Sequence, residues 1–388
     1  MKKFLALLLA LVMSLSLVAC GGGSDTTTDE STDTEGGDTA ETASYQVAMI
    51  TDYGDITDQS FNQTTYEACQ EFCNAQGLQF NYYKPNGDST AERVAMVDAA
   101  VADGYNVIVM PGYAFAETIK ETAELYPDVT FIALDVAQGD LDPNGEGYTL
   151  PSNVYCAVYQ EELCGYMAGY AAVKLGYTHL GVLGGMAVPA VQRFGYGFVQ
   201  GADAAAVELG IADQVVMEYA YGNQFYGDAD ITAYMDNWYQ TLGVEVVFAS
   251  GGGIYTSAAE AAAKVGGKLI GVDVDQSANI DTYGEGMCVT SAMKGLAETV
   301  QHMLSEVVAG NFANYGGKIE TLGLVNGDDP TANYVQLPME TTQWGDGFTQ
   351  DDYKALVKAM YDGEVTVSND TSAMPETTIT VNFAGNIK

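Results

Sequence analysis

Acidic side chains recur where short apolar runs end. The run QVAMI leads into Thr51-Asp52-Tyr53-Gly54-Asp55-Ile56-Thr57-Asp58-Gln59-Ser60-Phe61-Asn62, VTFIALD ends on Asp135, and KLIGVD ends on Asp273. A carboxylate placed where an apolar strand turns ionic must find a partner. It can accept from two vicinal hydroxyls of a sugar, or it can cap the next helix; the residues alone leave both open. Asp58 and Ser60 suit the capping role equally well. Phe61, in the first turn of a predicted helix, either staples to the core or offers a flat face to a ring, and its position by itself favours the core. Ser250-Gly251-Gly252-Gly253 follows VEVVFA, and its glycines permit close backbone approach to a ligand, but no Gly-Lys-Ser/Thr follows, so this is not a phosphate loop of the Walker type. Tyr221–Asp228 (YGNQFYGD) carries aromatic rings whose faces suit stacking. Lys294 follows CVTSAM at the expected start of a helix, where the dipole disfavours a cation. It is either solvated or matched by an anionic or polar group.

The usual parts of an enzyme are missing from this inventory. His179 and His302 are the only histidines, neither in a metal-ligand spacing, and there is no G-x-S-x-G elbow. Paired carboxylates are capable of acid–base hydrolysis, for instance a nucleosidase using Asp52 or Asp55 as base, yet nothing selects a pair. No catalytic residue, metal ligand or cofactor is assigned.

The elements that must position these side chains alternate. Strands are predicted at Gln46–Thr51, Gln79–Tyr83, Val107–Met110 and Val129–Asp135, with helices near Ser60–Ala75, Thr90–Ala102 and Ala116–Leu125. The pattern restarts with a strand at Val154–Tyr159, a helix at Glu161–Lys174, and strands at Leu180–Leu183, Val215–Tyr219, Val246–Ser250, Leu269–Asp273 and Met287–Ser291. Further strands are expected near Lys318–Val325 and Tyr334–Leu337, then a helix near Thr349–Tyr361 and a Thr/Val-rich tail able to form an edge strand. Such alternation is the mark of an α/β fold with two doubly wound parallel-sheet lobes. Polar stretches after Asp135 and after Asp275 are the expected passages between lobes. This assigns residues 45–158 with about 276–325 to lobe 1 and about 159–275 with 326–388 to lobe 2. Ligands of open α/β sheets bind beyond the carboxyl ends of strands, so a cleft between the lobes is the expected site.

Residues 1–20 combine Lys2 and Lys3 with an apolar run ending in Leu17-Val18-Ala19-Cys20, the layout of a secretory signal with a lipobox-like Cys20 as lipid attachment site. Residues 21–44 hold seven acidic residues and nothing apolar larger than Ala, a composition expected of a disordered acidic linker. The chain has 52 acidic and 14 basic residues, and residues 45–388 keep 45 against 12, a net charge of −33. That excess excludes nucleic acid as a partner. The five cysteines after Cys20 are expected to be small buried apolar residues.

The segment VAMITDYGDITDQSFNQTTYE (Val47–Glu67) is similar to the N-terminal signature of the basic membrane protein family, the purine-nucleoside-receptor-like lipoproteins. Further collinear matches are Tyr159-Gln160-Glu161-Glu162 with Gly165-Tyr166-Met167-Ala168-Gly169-Tyr170, then Gly184-Gly185-Met186 with Phe194 and Gly197-Phe198, then Gly251-Gly252 and Gly271–Gln276. The resemblance implies a type I periplasmic-binding-protein fold with a hinge, closing on a nucleoside, and a non-enzymatic role as substrate-binding lipoprotein of an ABC importer. It implies that Phe61 and Phe225 stack on the base, with Tyr226 as the alternative to Phe225. It also implies that Asn62 and Asp135 read the base edge with Asp52 nearby, and that Asp273 and Lys294 hold the ribose, Gly252 allowing close approach. The expected partners are a purine nucleoside, a permease with its ATPase, and the membrane reached through the lipid on Cys20 at its extracytoplasmic face; the protein is expected to act as a monomer. A sugar or autoinducer receptor of the same fold, a surface nucleosidase and a signalling lipoprotein are the rival expectations.

Overall fold

The computed structural model describes residues 45–388; the signal segment, Cys20 and the spacer lie outside the described residues. Runs rich in Val, Ile, Ala and Met form the strands. Strand β1 spans Gln46–Ile50, β2 Gln79–Tyr83, β3 Val107–Pro111, β4 Thr130–Leu134 and β5 Val154–Tyr159. Together with β11 (Lys318–Leu322) they make a six-stranded sheet in the order β11-β5-β4-β3-β1-β2. The second sheet has seven strands, β6 (His179–Gly184), β7 (Val216–Tyr221), β8 (Val246–Ser250), β9 (Lys268–Asp273), β10 (Cys288–Lys294), β12 (Val335–Gln336) and β13 (Thr380–Asn386). Its order is β12-β10-β9-β8-β6-β7-β13. All pairings are parallel except the short β10–β12 ladder. Central strands such as β3 and β8 are buried along their whole length, as strands of a sheet covered on both faces must be.

The two sheets share one order, with β4 and β9 in equivalent places and β13 alone lacking a counterpart. The Thr/Val-rich tail is thus the edge strand its composition suggested. The division of the chain between sheets differs from the expected one. Residues 136–153 and 274–287 each join strands of the same sheet, and of the expected return segment 276–325, Cys288–Lys294 lies in the seven-stranded sheet while Lys318–Leu322 lies in the six-stranded one. The chain passes between sheets after β5, after β10 and after β11. These passages are tied to one another, Gln160 N–H to Leu322 C=O at 2.9 Å, Tyr334 N–H to Gly323 C=O at 3.0 Å and Gly295 N–H to Tyr334 C=O at 2.7 Å, so the crossing backbone groups satisfy one another.

Helix α1 (Phe61–Gln76) follows β1, and α2 (Thr90–Ala102) and α3 (Ala116–Thr122) match their expected positions to within a turn. Helix α4 is a single turn, Gln138–Leu141, and α5 spans Glu161–Lys174. The 21-residue helix α6, Pro189–Leu209, was not anticipated. It crosses α5 with almost no side chain between them. A Cβ on Gly165 would lie 2.2 Å from the Phe194 carbonyl oxygen, one on Gly169 2.1 Å from that of Phe198, one on Gly197 2.2 Å from that of Glu162 and one on Gly201 2.0 Å from that of Tyr166. This close crossing presents the first turns of both helices, with Glu161, Arg193 and Phe194, to the space between the sheets. All five described cysteines are buried and free, as expected of small apolar residues.

Candidate functional site

The carboxyl ends of β1, β4, β8, β9 and β10 open on one cavity of about 640 Å³ between the two lobes. All eight residues singled out as binding candidates, Asp52, Phe61, Asn62, Asp135, Phe225, Gly252, Asp273 and Lys294, line it.

Asp135 and Asp273 occupy equivalent tips, the first just beyond β4 and the second ending β9. Both take the left-handed backbone region, at φ 60° and 66°. Over Asp273 the Val274 N–H donates to the Val272 carbonyl at 2.7 Å, closing a three-residue turn. Non-glycine residues held this way cost of order 1–3 kcal/mol each, and such strain gathers at ligand sites. Between the two tips sits Lys294, the last residue of β10 rather than the first of the helix α10 (Leu296–Val308). Its ammonium is 2.6 Å from Asp135 Oδ2, 3.3 Å from Glu161 Oε1 and 3.8 Å from Asp273 Oδ1. It also stands 4.7 Å from the centroid of Phe61, 5.2 Å from that of Tyr159 and 5.5 Å from that of Phe194. Burial disfavours this ammonium, but Asp135, Glu161 and Asp273 outweigh it and hold Lys294 charged, above its ordinary value. The anionic match anticipated for this lysine is therefore threefold.

The acids in turn have further partners. Arg193, one of two arginines in the chain, donates from Nε to Glu161 Oε2 at 2.7 Å. Ser60 donates to Asp273 Oδ2 at 2.6 Å, so its hydroxyl bridges the lobes instead of capping α1. Asp58 does the capping, accepting from the backbone N–H of Ser60, Asn62 and Gln63 at 2.9–3.0 Å. It also accepts from Asn62 Nδ2 at 3.2 Å, which turns Asn62 Oδ1 away. That oxygen and Asp135 Oδ1 are buried acceptors without a hydrogen-bond partner among the described residues. Asp52 Oδ1 accepts from the N–H groups of Tyr53 and Gly54 at 2.7 and 2.6 Å. Burial pushes the carboxyl of Asp52 up to about 6 against those bonds, and burial pushes Asp135 up to about 6 against the pull of Lys294. Asp273 is raised too, again chiefly by burial.

Aromatic rings form the remaining wall. Phe225 faces Tyr53 with centroids 6.2 Å apart and planes 30° from parallel, while Tyr226 is 61% exposed at the rim. The ring of Phe225 rests on Gly185, whose added Cβ would sit 2.4 Å from it, and its carbonyl accepts from Gly253 N–H at 2.9 Å. Gly252 takes φ 55°, the left-handed region that suits glycine, at the foot of the same loop. Phe61 packs partly into the core, as its position favoured, and its ring also lies against the Lys294 ammonium.

Four groups of the site were not singled out from the sequence. Glu161 lies in a matched motif, but acids in a first helical turn have an ordinary explanation in the helix dipole, and Arg193 lies just outside the motif that holds Phe194. Tyr53 sits inside the flagged loop with nothing to distinguish it from its neighbours, and Ser60 in the same loop reads as a candidate helix cap rather than as a group of the site. The scarcity of basic residues was the one signal that pointed to Arg193.

The family model described as ABC transporter substrate-binding protein PnrA-like (Bmp) matches residues 45–328. A protein named CD4+ T-cell-stimulating antigen from Listeria innocua is 27% identical over 340 residues, covering 82% of this chain and 87% of that protein. The ABC transporter nucleoside-binding protein BmpA of Lactococcus lactis is 25% identical over 343 residues, covering 83% and 88%. Among solved structures, a solute-binding protein of an ABC transporter system from Aeropyrum pernix superposes with a TM-score of 0.63 at 24% identity, covering 84% of this chain and 88% of the other. That likeness gives the fold as the two-lobed type I periplasmic-binding-protein architecture.

Proposed function

The chain belongs to the Bmp family of PnrA-like ABC transporter substrate-binding proteins, and from that premise we propose that its interlobe cavity captures purine nucleosides for delivery to a permease and its ATPase. The family is one of solute-binding proteins, not enzymes, so the surface nucleosidase is set aside. The observation that carries the nucleoside reading is the pairing of unpartnered acceptors with flat walls. Asn62 Oδ1 and Asp135 Oδ1 are buried acceptors in need of donors, which the N–H groups of a purine edge supply. Asp273 and Lys294 then serve ribose hydroxyls. Phe225 provides one stacking face. A base between two rings needs about 7 Å, twice a stacking distance of about 3.5 Å, and the separation of Phe225 from Tyr53 is 6.2 Å. Either Phe61 or Tyr53 is the facing ring, and single substitutions separate them. Supporting the ligand class, the name of the Lactococcus relative is that of a nucleoside-binding protein. Lipid on Cys20 tethers the monomer to the extracytoplasmic face of the membrane; among the described residues no helix is long and apolar enough to cross it.

Titration calorimetry of the chain with inosine, guanosine, adenosine and free sugars tests the reading. Saturable binding of at least one purine nucleoside is expected. Binding of a free sugar without any nucleoside converts the protein into a sugar receptor of the same fold, and no response to any of them at millimolar concentration defeats the ligand assignment.

A further inference from the structure

The family match ends at residue 328, yet the chain continues as ordered structure to Lys388. From β12 at one edge of the seven-stranded sheet it runs to β13 at the other. On the way Leu337 N–H donates to the hydroxyl of buried Tyr353 at 2.7 Å, anchoring the helix α11 (Gln350–Tyr361). Residue Ser368 exchanges two 2.9 Å hydrogen bonds with Gln200 on α6, and Asp203 on the same helix accepts from Thr378 and Ile379 N–H at 2.6 and 2.9 Å. Strand β13 then pairs in parallel with β7 from Thr380 opposite Val216 to Asn386 opposite Tyr221. Among the described residues no strand of the six-stranded sheet corresponds to it.

The strand ends beside the loop that carries Phe225. Ile387 N–H donates to the Tyr221 carbonyl at 2.8 Å, and Lys388 forms an ion pair with Asp228. Asp228 closes the loop from its far end. Its carboxylate accepts from Gln224 Nε2 at 2.9 Å and from the N–H groups of Asp230 and Ile231 at 3.0 Å, capping the helix α7 (Ala229–Asp236). The loop is therefore held on its inner side by Gly253 and at both of its ends by the last residues of the chain. We propose that residues 365–388 form a strap that positions Phe225 for stacking on the ligand, with Ile387 and Lys388 as its clasp. The assignment of a ligand ring to Phe225 rests on the nucleoside reading; the clasp on the loop does not.

The ion pair of Lys388 is partly exposed, and such pairs contribute little alone, so the decisive variant removes Asn386–Lys388 and Lys388→Ala is the milder companion. With the full chain, hydrogen exchange should quicken in residues 221–228 and stay unchanged in β8 and β9. Inosine affinity should fall about five-fold, a fraction of a base-stacking contribution. In a Phe225→Ala background the same truncation should cost nothing further, because a positioning effect has no ring left to act on. Unchanged exchange in 221–228, unchanged affinity despite faster exchange, or an equal loss with and without Phe225 each overturns the strap. A parent protein indifferent to every purine nucleoside defeats the nucleoside reading instead, and the exchange result alone then decides whether the clasp holds the loop.

Discussion

Lys294 reaches across the gap between the two sheets to place its ammonium 2.6 Å from Asp135 Oδ2. The lysine ends a strand of one sheet and the aspartate follows a strand of the other, while Asp273, the topological equivalent of Asp135, lies on the lysine's own sheet. One cation therefore serves the two equivalent tips at once. With Arg193 included, four carboxylates (Asp135, Glu161, Asp273 and Glu162, the last 3.9 Å from Arg193) face two cations, which leaves the cluster acidic and short of hydrogen-bond donors. A neutral, donor-rich ligand meets that need; an anionic one does not.

Replacing Lys294 by Met should leave Asp135, Glu161 and Asp273 facing one another without their shared cation. Removing one partner of a buried ion pair costs about 3 kcal/mol or more, so Tm should fall by several degrees and inosine binding should vanish from calorimetry. Adding Asp135→Asn should recover part of the stability and none of the binding. A Tm within a degree of the parent's would show that the cluster tolerates unpaired charge and that its electrostatic account is wrong.

Acid should act in opposite directions on stability and binding. Asp52 and Asp135 are raised from 3.8 to about 6, by burial first. Between those values each binds more protons folded than unfolded, so its contribution favours the native state as pH falls and is lost as pH rises through that window. Ligand donors, by contrast, prefer the ionised carboxylates, so inosine affinity should weaken about ten-fold from pH 7.5 to pH 5. Asp52→Asn should raise Tm relative to the parent at pH 7.5, with the difference shrinking by pH 5. Calorimetry and thermal melts across this range check both signs; affinity that grows in acid would contradict the assignment.

The sequence was most informative where an apolar run meets a charge. Asp135, Asp273 and Lys294 were legible because a parallel strand is nearly continuous hydrophobic sequence and an ion at its tip breaks the pattern. The strands Val154–Tyr159 and Val246–Ser250 were read to the residue from the same continuity, and the edge strand Gln79–Tyr83 from its aromatic residues. The passages between lobes were not legible. They are backbone ladders of a few residues around Gln160, Gly295 and Gly323, whereas the Gly- and Asp-rich stretches after Asp135 and Asp275 are surface loops within one lobe. Helix α6 escaped although Phe194, Phe198 and Val199 lie on its buried face, because Gly195, Gly197 and Gly201 interrupt it with the residue that, proline aside, favours a helix least. Glu161 stayed hidden because its partner Arg193 is 32 residues away and only the crossing of two helices brings them together.

That crossing should be intolerant of one methyl group. The Cβ of Gly169→Ala would lie 2.1 Å from a backbone oxygen of α6, and that of Gly197→Ala 2.2 Å from one of α5, so the helices must separate. Overpacking of this kind costs typically 1–3 kcal/mol, roughly. Each substitution should lower Tm and also weaken inosine binding, since Glu161 and Arg193 ride on the displaced turns. Gly210→Ala, just past the end of α6, tests the alternative that any loss of glycine near the crossing helices matters; its strain comes from φ 69° with nothing within 4 Å, so it should lower Tm while leaving affinity unchanged.

The ring wall yields the sharpest separation. Phe225 lies inside the cavity against Gly185, and Tyr226 is mostly exposed at its rim. Stacking contributes about 1–3 kcal/mol per base, so Phe225→Ala should weaken inosine binding about 30-fold, whereas Tyr226→Ala should change it little. The facing ring is decided in the same way. If the base slides between Phe225 and Tyr53, Tyr53→Ala should match the Phe225 loss and Phe61→Ala should act mainly on stability, by withdrawing the ring beneath the Lys294 ammonium. If the base lies against Phe61 the two results exchange. Equal, small losses at all four positions would mean that no ring stacks on the ligand, and the acids around Lys294 would then be left as the only grip.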